Sequence, residues 1–123
     1  MLASALSALV CAAGHAIAGA GMFYRPIKGA ISDQLQAGLF TGIWHLITIN
    51  FTLSAAALIA AGTYGLPTAV AWFVTLQFAG YAAVYLAISL RIGGVLRLFQ
   101  WMLFASTAIL AAIGAQMAHC PPR

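Results

Sequence analysis

Apolar residues fill this chain in four long blocks, at about 2–23, 38–62, 68–90 and 98–118, and the short stretches between them carry the charge. A helix needs about 20 apolar residues to cross the roughly 30 Å hydrocarbon layer, and each block reaches that length. The blocks are too continuous and too rich in alanine for the in–out alternation of a membrane β-barrel. The pattern predicts an all-α fold. It is one transmembrane domain over 1–123, an integral-membrane four-helix bundle running up, down, up, down.

The connections fit this division. Residues 24–37 hold Arg25, Pro26, Lys28 and Asp33, with Ile27, Ile31 and Leu35 at spacing four, which suits a short interfacial helix. Pro26 disfavours helix at the residue before it, so Arg25-Pro26 fits a helix end just past the first block. The run Thr63-Tyr64-Gly65-Leu66-Pro67 reads as a tight turn, and Gly93-Gly94 lies between Arg91 and Arg97. The ending His119-Cys120-Pro121-Pro122-Arg123 cannot continue a helix.

Composition narrows the classes. Of 123 residues, 64% are hydrophobic and 5% are charged, against about 25% charged in soluble domains. A soluble fold is excluded. A single acid, Asp33, excludes paired-carboxylate chemistry within one chain. Five scattered bases make no phosphate-binding patch, so the formal charge of +4 does not point to nucleic acid. It points to topology. The first and third connections lie on one side and hold Arg25, Lys28, Arg91 and Arg97, four of the five basic residues. The positive-inside rule puts them in the cytoplasm and both termini outside. The expected location is the bacterial inner membrane, multi-pass, with the lipid bilayer as partner. No Lys or Arg precedes Arg25, so the first block reads as a mature helix rather than a signal peptide. Tyr24, Trp72 and Trp101 fall near span ends, as interfacial anchors do. Cys11 lies inside its span, and a bridge to Cys120 is not expected.

Lipid supplies no hydrophobic push between helices, so small residues must allow close packing. Span one offers Gly14, Ala18 and Gly21, with Ala12, Ala16 and Ala20 at spacing four; span two Ala56, Ala57, Ala60 and Ala61; span three Gly80, Ala83 and Ala87; span four Ala108, Ala111, Ala112 and Ala115. These serve packing within the chain or a homodimer. Gly14→Leu is expected to disturb the bundle more than Leu90→Ala.

Polar groups inside a span are costly and invite a functional reading. His15 and His45, counted from the same face, lie about 13 Å and 10 Å deep, so two neutral imidazoles are expected at one level in neighbouring helices. Thr41, Thr48 and Thr52 share the His45 face at helical spacing, and Tyr81 reaches the same level. The reading adopted is a buried polar layer in a non-enzymatic membrane protein that needs no cofactor. One alternative makes His15 and His45 cofactor-binding residues, the axial ligands of a b-type haem or another metal in a redox protein. Another is a small homodimeric transporter or channel, with histidine passing protons. Asn50 and Ser54 form a second face, read as interhelical glue. Gln77, Tyr81 and Tyr85 step by four on span three, as a cavity lining or a packing stripe. No phosphate loop, serine nucleophile elbow or zinc signature occurs.

Gly14-His15, Arg25-Pro26-Ile27 and Trp44-His45-Leu46 together resemble uncharacterised small bacterial four-helix inner-membrane proteins. That family has Gly-His in helix one, an Arg-Pro loop and Trp-His in helix two. The resemblance covers about the first half of the chain, implies the four-helix membrane fold and carries no activity or protein partner. Many such proteins have Gly-Glu-Arg soon after the first His. Here Gly19 to Arg25 holds no Glu, so no role of that carboxylate transfers. Small multidrug-resistance transporters need a Glu in helix one, and small fluoride channels a Gly-rich signature ending in Arg-Tyr. Neither is present.

Overall fold

The computed structural model describes residues 1–96 and 98–119. Expectations for Arg97, Cys120, Pro121, Pro122 and Arg123 lie outside the described residues. Helix α1 (Leu2–Ala13), a π-helical stretch (Gly14–Tyr24) and α2 (Arg25–Ala30) follow one another as a single rod. Then come α3 (Gln34–Tyr64), α4 (Thr68–Arg91) and α5 (Gln100–His119). All four rods are long and apolar enough to cross a membrane. The fold is an all-α four-helix bundle.

The first rod does not end at Arg25. That residue is helical, at φ −64° and ψ −47°, and its N–H bonds the carbonyl of Ala20, five residues back. Pro26 is the second residue of α2, and because the rod is continuous its missing N–H removes one backbone hydrogen bond there. The expected short helix is thus a continuation, and it stops where Ile31 turns extended (ψ 112°). Asp33 caps α3: its carboxylate accepts the Gln36 N–H at 2.8 Å. Gly65, in the left-handed region at φ 65°, ends α3, and Pro67 leads into α4. After α4 the chain reverses through Gly93 and Gly94, at φ 122° and 132°. Ser89 holds this turn: its Oγ donates to the Gly94 carbonyl at 2.7 Å and accepts the Leu98 N–H at 3.0 Å.

Helices adjacent in sequence are neighbours in space, and the last returns to the first. Helix α1 lies against α3 and α5, and α4 packs broadly on α5 and lightly on α3. The interior is made of small residues around an aromatic centre. Ala5, Ala8 and Ala12 of α1 meet Ala55, Ala108, Ala111 and Ala115, with Phe51, Phe78 and Phe104 between the helices. Apart from Leu58 and Val74, which are buried in the core, most large aliphatic side chains point outward: Leu6 and Leu53 are each 64% exposed and Leu76 is 72% exposed. A bundle made for water reverses this arrangement. The four apolar rods with an apolar exterior read as a multi-pass membrane protein.

Several small residues turn out to face away from the bundle. A Cβ added at Gly14 or Gly21 would meet nothing within 4 Å. The reason is angular: α1 packs through Ala5, Ala8 and Ala12, and Gly14 lies on the opposite side at about 100° per residue. Ala18, Ala56, Gly80, Ala83 and Ala87 are exposed as well. The stripe of span four is placed as expected, with Ala108, Ala111 and Ala115 buried. The glycines of closest approach are Gly19, under Trp44, and Gly114, against Met1.

Candidate functional site

Nine residues separate His15 from Tyr24. In an α-helix that is two and a half turns, which puts the two side chains on opposite faces. Hydrogen bonds from i to i+5 widen each turn, so nine residues make about two turns of π-helix. The π-helical stretch therefore brings His15, Gly19 and Tyr24 onto one face, and that face meets Trp44 of α3. The His15 ring stacks on Trp44 with centroids 4.0 Å apart and planes at 21°. Tyr24 lies 5.4 Å from the same indole. Between them, Gly19 leaves the room the indole occupies: a Cβ there would sit 3.0 Å from Trp44 Cη2.

The polar edge of His15 is satisfied in the same place. Its Nε2 lies 3.2 Å from the Trp44 carbonyl. A carbonyl only accepts, so Nε2 carries the proton. The same carbonyl accepts from Thr48 Oγ1 at 3.2 Å. Below, the His15 ring meets Phe51 edge-on at 5.9 Å, and Phe51 leads to Phe78, Phe104 and Tyr81 in the core. At the other end, Tyr24 donates to Thr41 Oγ1 at 3.3 Å and accepts from Lys28 Nζ at 3.2 Å.

His15 and His45 do not form the expected buried layer. Counting along two helices gives depth and leaves the angle about each axis open. Trp44 and His45 are consecutive on α3, about 100° apart, so only one can face His15. Trp44 takes that place. His45 is exposed and leans toward Tyr24, with ring centroids 6.1 Å apart. A bis-imidazole haem needs two rings facing each other across a gap, and as placed one ring is covered by indole while the other faces outward.

The threonines named from the sequence bond their own helix, and only Thr41, accepting from Tyr24, also reaches another. Thr41, Thr48 and Thr52 donate to the carbonyls of Ala37, Trp44 and Thr48, one turn back on their own helix, at 2.8, 3.2 and 2.9 Å. Tyr81 belongs elsewhere, in an amide and hydroxyl cluster between α3 and α4. There Gln77 Nε2 donates to Asn50 Oδ1, to Ser54 Oγ at 3.2 Å and to Tyr81 OH at 3.3 Å, and Tyr81 OH also donates to Asn50 Oδ1 at 3.3 Å. Asn50 and Ser54 do join helices, as their shared face suggested.

A third polar contact was not singled out from the sequence. Ser7 Oγ of α1 lies 2.7 Å from Thr107 Oγ1 of α5, with Cys11 Sγ 3.8 Å from the same hydroxyl. The available signal was a hydroxyl residue in each of two neighbouring spans. Gly19 gave a fainter one, a glycine one turn after a histidine. The imidazole and most hydroxyls here bond backbone carbonyls, while the amides of Asn50 and Gln77 and the Ser7–Thr107 pair join side chain to side chain across helices. Among the described residues, no three His, Cys, Asp or Glu side chains gather in a metal-binding group. Comparison with protein-family models, with curated proteins and with solved structures finds no match.

Proposed function

We propose that this is an integral protein of the bacterial inner membrane, crossing it four times with both termini outside. Its role is non-enzymatic, and its in-membrane polar groups lock the helices to one another. The observation that carries the reading is the pairing of those groups across helix boundaries: His15 with Trp44, Ser7 with Thr107, and Gln77 with Asn50. Inside lipid such bonds hold register and orientation between helices. A histidine bonded at Nε2 and stacked on one face is engaged in packing and is not presented to a substrate. The orientation rests on the bases of the first and third connections.

Two measurements test this. Reporter fusions after Pro67 and after Gly93 should read outside and cytoplasm respectively, and a cytoplasmic signal at Pro67 reverses the orientation. The visible spectrum of the detergent-purified protein should lack a Soret band. A Soret band lost in His15→Ala or His45→Ala would replace the packing role with b-type haem binding.

A further inference from the structure

We propose that the face of α3 and α4 around Asn50 and Gln77 is where a second copy of this chain docks, amide against amide, inside the membrane. The inference rests on the membrane reading above. Asn50 stands near the midpoint of α3 and is exposed. Its Oδ1 accepts from Gln77 and Tyr81. Among the described residues, Asn50 Nδ2 and Gln77 Oε1 have no hydrogen-bond partner, so the pair shows one free donor group and one free acceptor. At mid-membrane depth neither lipid nor water satisfies them, and leaving an amide unpaired there is costly.

A second copy supplies the complement at the right depth. A two-fold axis along the membrane normal leaves every residue at its own height. Asn50 Nδ2 of one copy can then meet Gln77 Oε1 of the other, and the reverse bond forms by symmetry. A different protein would need a matching amide at that same depth. The surface beside the pair allows the approach: Gly80 has open space where a Cβ would be, and Ala83 and Ala87 are exposed. Leu53 and Leu76 stand at the rim.

The test uses the full chain in membrane vesicles, with Cys11 and Cys120 replaced by Ser. Oxidation should cross-link Leu53→Cys into dimers and leave Leu6→Cys, on the outer side of α1, monomeric. Without any cysteine at the interface, energy transfer between labelled copies should report a dimer. The double variant Asn50→Ala, Gln77→Leu should weaken it about tenfold, from about threefold for each of the two interhelical hydrogen bonds. Conservative Asn50→Gln should retain most of it. Cross-linking through Leu6→Cys in place of Leu53→Cys overturns the proposal. So does a protein that resists carbonate extraction yet stays monomeric, and in that case the membrane reading stands. Release by carbonate overturns both.

Discussion

Gly19 and Gly14 lie in the same π-helical stretch, and replacing each by alanine separates close packing from helix propensity. In a helix interior alanine is favoured over glycine by about 1 kcal/mol. At Gly14 the new methyl meets nothing within 4 Å, so Gly14→Ala should gain roughly that amount. At Gly19 the methyl would lie 3.0 Å from Trp44 Cη2 and 3.1 Å from Cζ2. The indole has little freedom to retreat, because His15 stacks on it at 4.0 Å, Tyr24 lies at 5.4 Å and Phe40 at 6.2 Å. Overpacking of this kind costs about 1–3 kcal/mol. Set against the propensity gain, Gly19→Ala should be neutral to about 2 kcal/mol less stable than the parent, and about 1–3 kcal/mol below Gly14→Ala. Reversible unfolding in mixed micelles, followed by far-ultraviolet circular dichroism, measures the difference. Equal stabilisation of both variants would show that Trp44 is not wedged against this helix, and the account of the π-helical stretch would fail with it.

Three further outcomes are expected. His15→Phe keeps an aromatic ring on Trp44 and loses the 3.2 Å bond to its carbonyl, so it should cost about 1 kcal/mol, while His15→Ala should cost clearly more in the same unfolding assay. Ser89→Ala strips the Leu98 N–H of its acceptor and the Gly94 carbonyl of its donor. It should destabilise by about 1–3 kcal/mol and speed proteolysis between 92 and 99, and an unchanged cleavage rate would mean that Ser89 does not hold the turn. Thr107→Val preserves shape but leaves Ser7 without its 2.7 Å partner. A loss of about 1 kcal/mol is expected, and no loss would remove the hydroxyl pair from the interactions joining α1 and α5.

The division into four span-length helices was legible because it depends on long apolar runs broken by Gly, Pro and charge. Gly65, Pro67, Gly93 and Gly94 stand at the turns they announced. The angle of each helix about its own axis was much less legible. Apolar side chains cover every face of these helices, so no amphipathic stripe tells inside from outside. Gly14 was for that reason given a packing role that belongs to Gly19, and Gly80 faces outward. The candidate site failed at the same point. His15 and His45 were matched by depth, yet Trp44 fills the angle that His45 was expected to hold. The π-helical stretch deepened the error, since its wide turns cancel the half-turn that an α-helix would place between His15 and Tyr24. Asn50 and Ser54 were easier, because a polar face within a span has few uses besides joining helices.

The helices differ in length, and the difference gives the molecule a step. Helix α3 has 31 residues and α4 has 24, which makes them about 46 Å and 36 Å long. Only Gly65, Leu66 and Pro67 join them, so they finish level at that end. At the opposite end α3 overshoots by about 10 Å, roughly its first two turns. The hairpin formed by the first rod and α3 is thus a post rising beside a ledge. Lys28 and Arg25 sit on the post, and Arg91 sits at the ledge beside the Gly93-Gly94 reversal. Positive charge is thereby held on two storeys. On the membrane placement proposed above, with the ledge flush with the headgroups, the post stands clear in water, and a molecule arriving from solution meets Lys28 before it meets the bilayer.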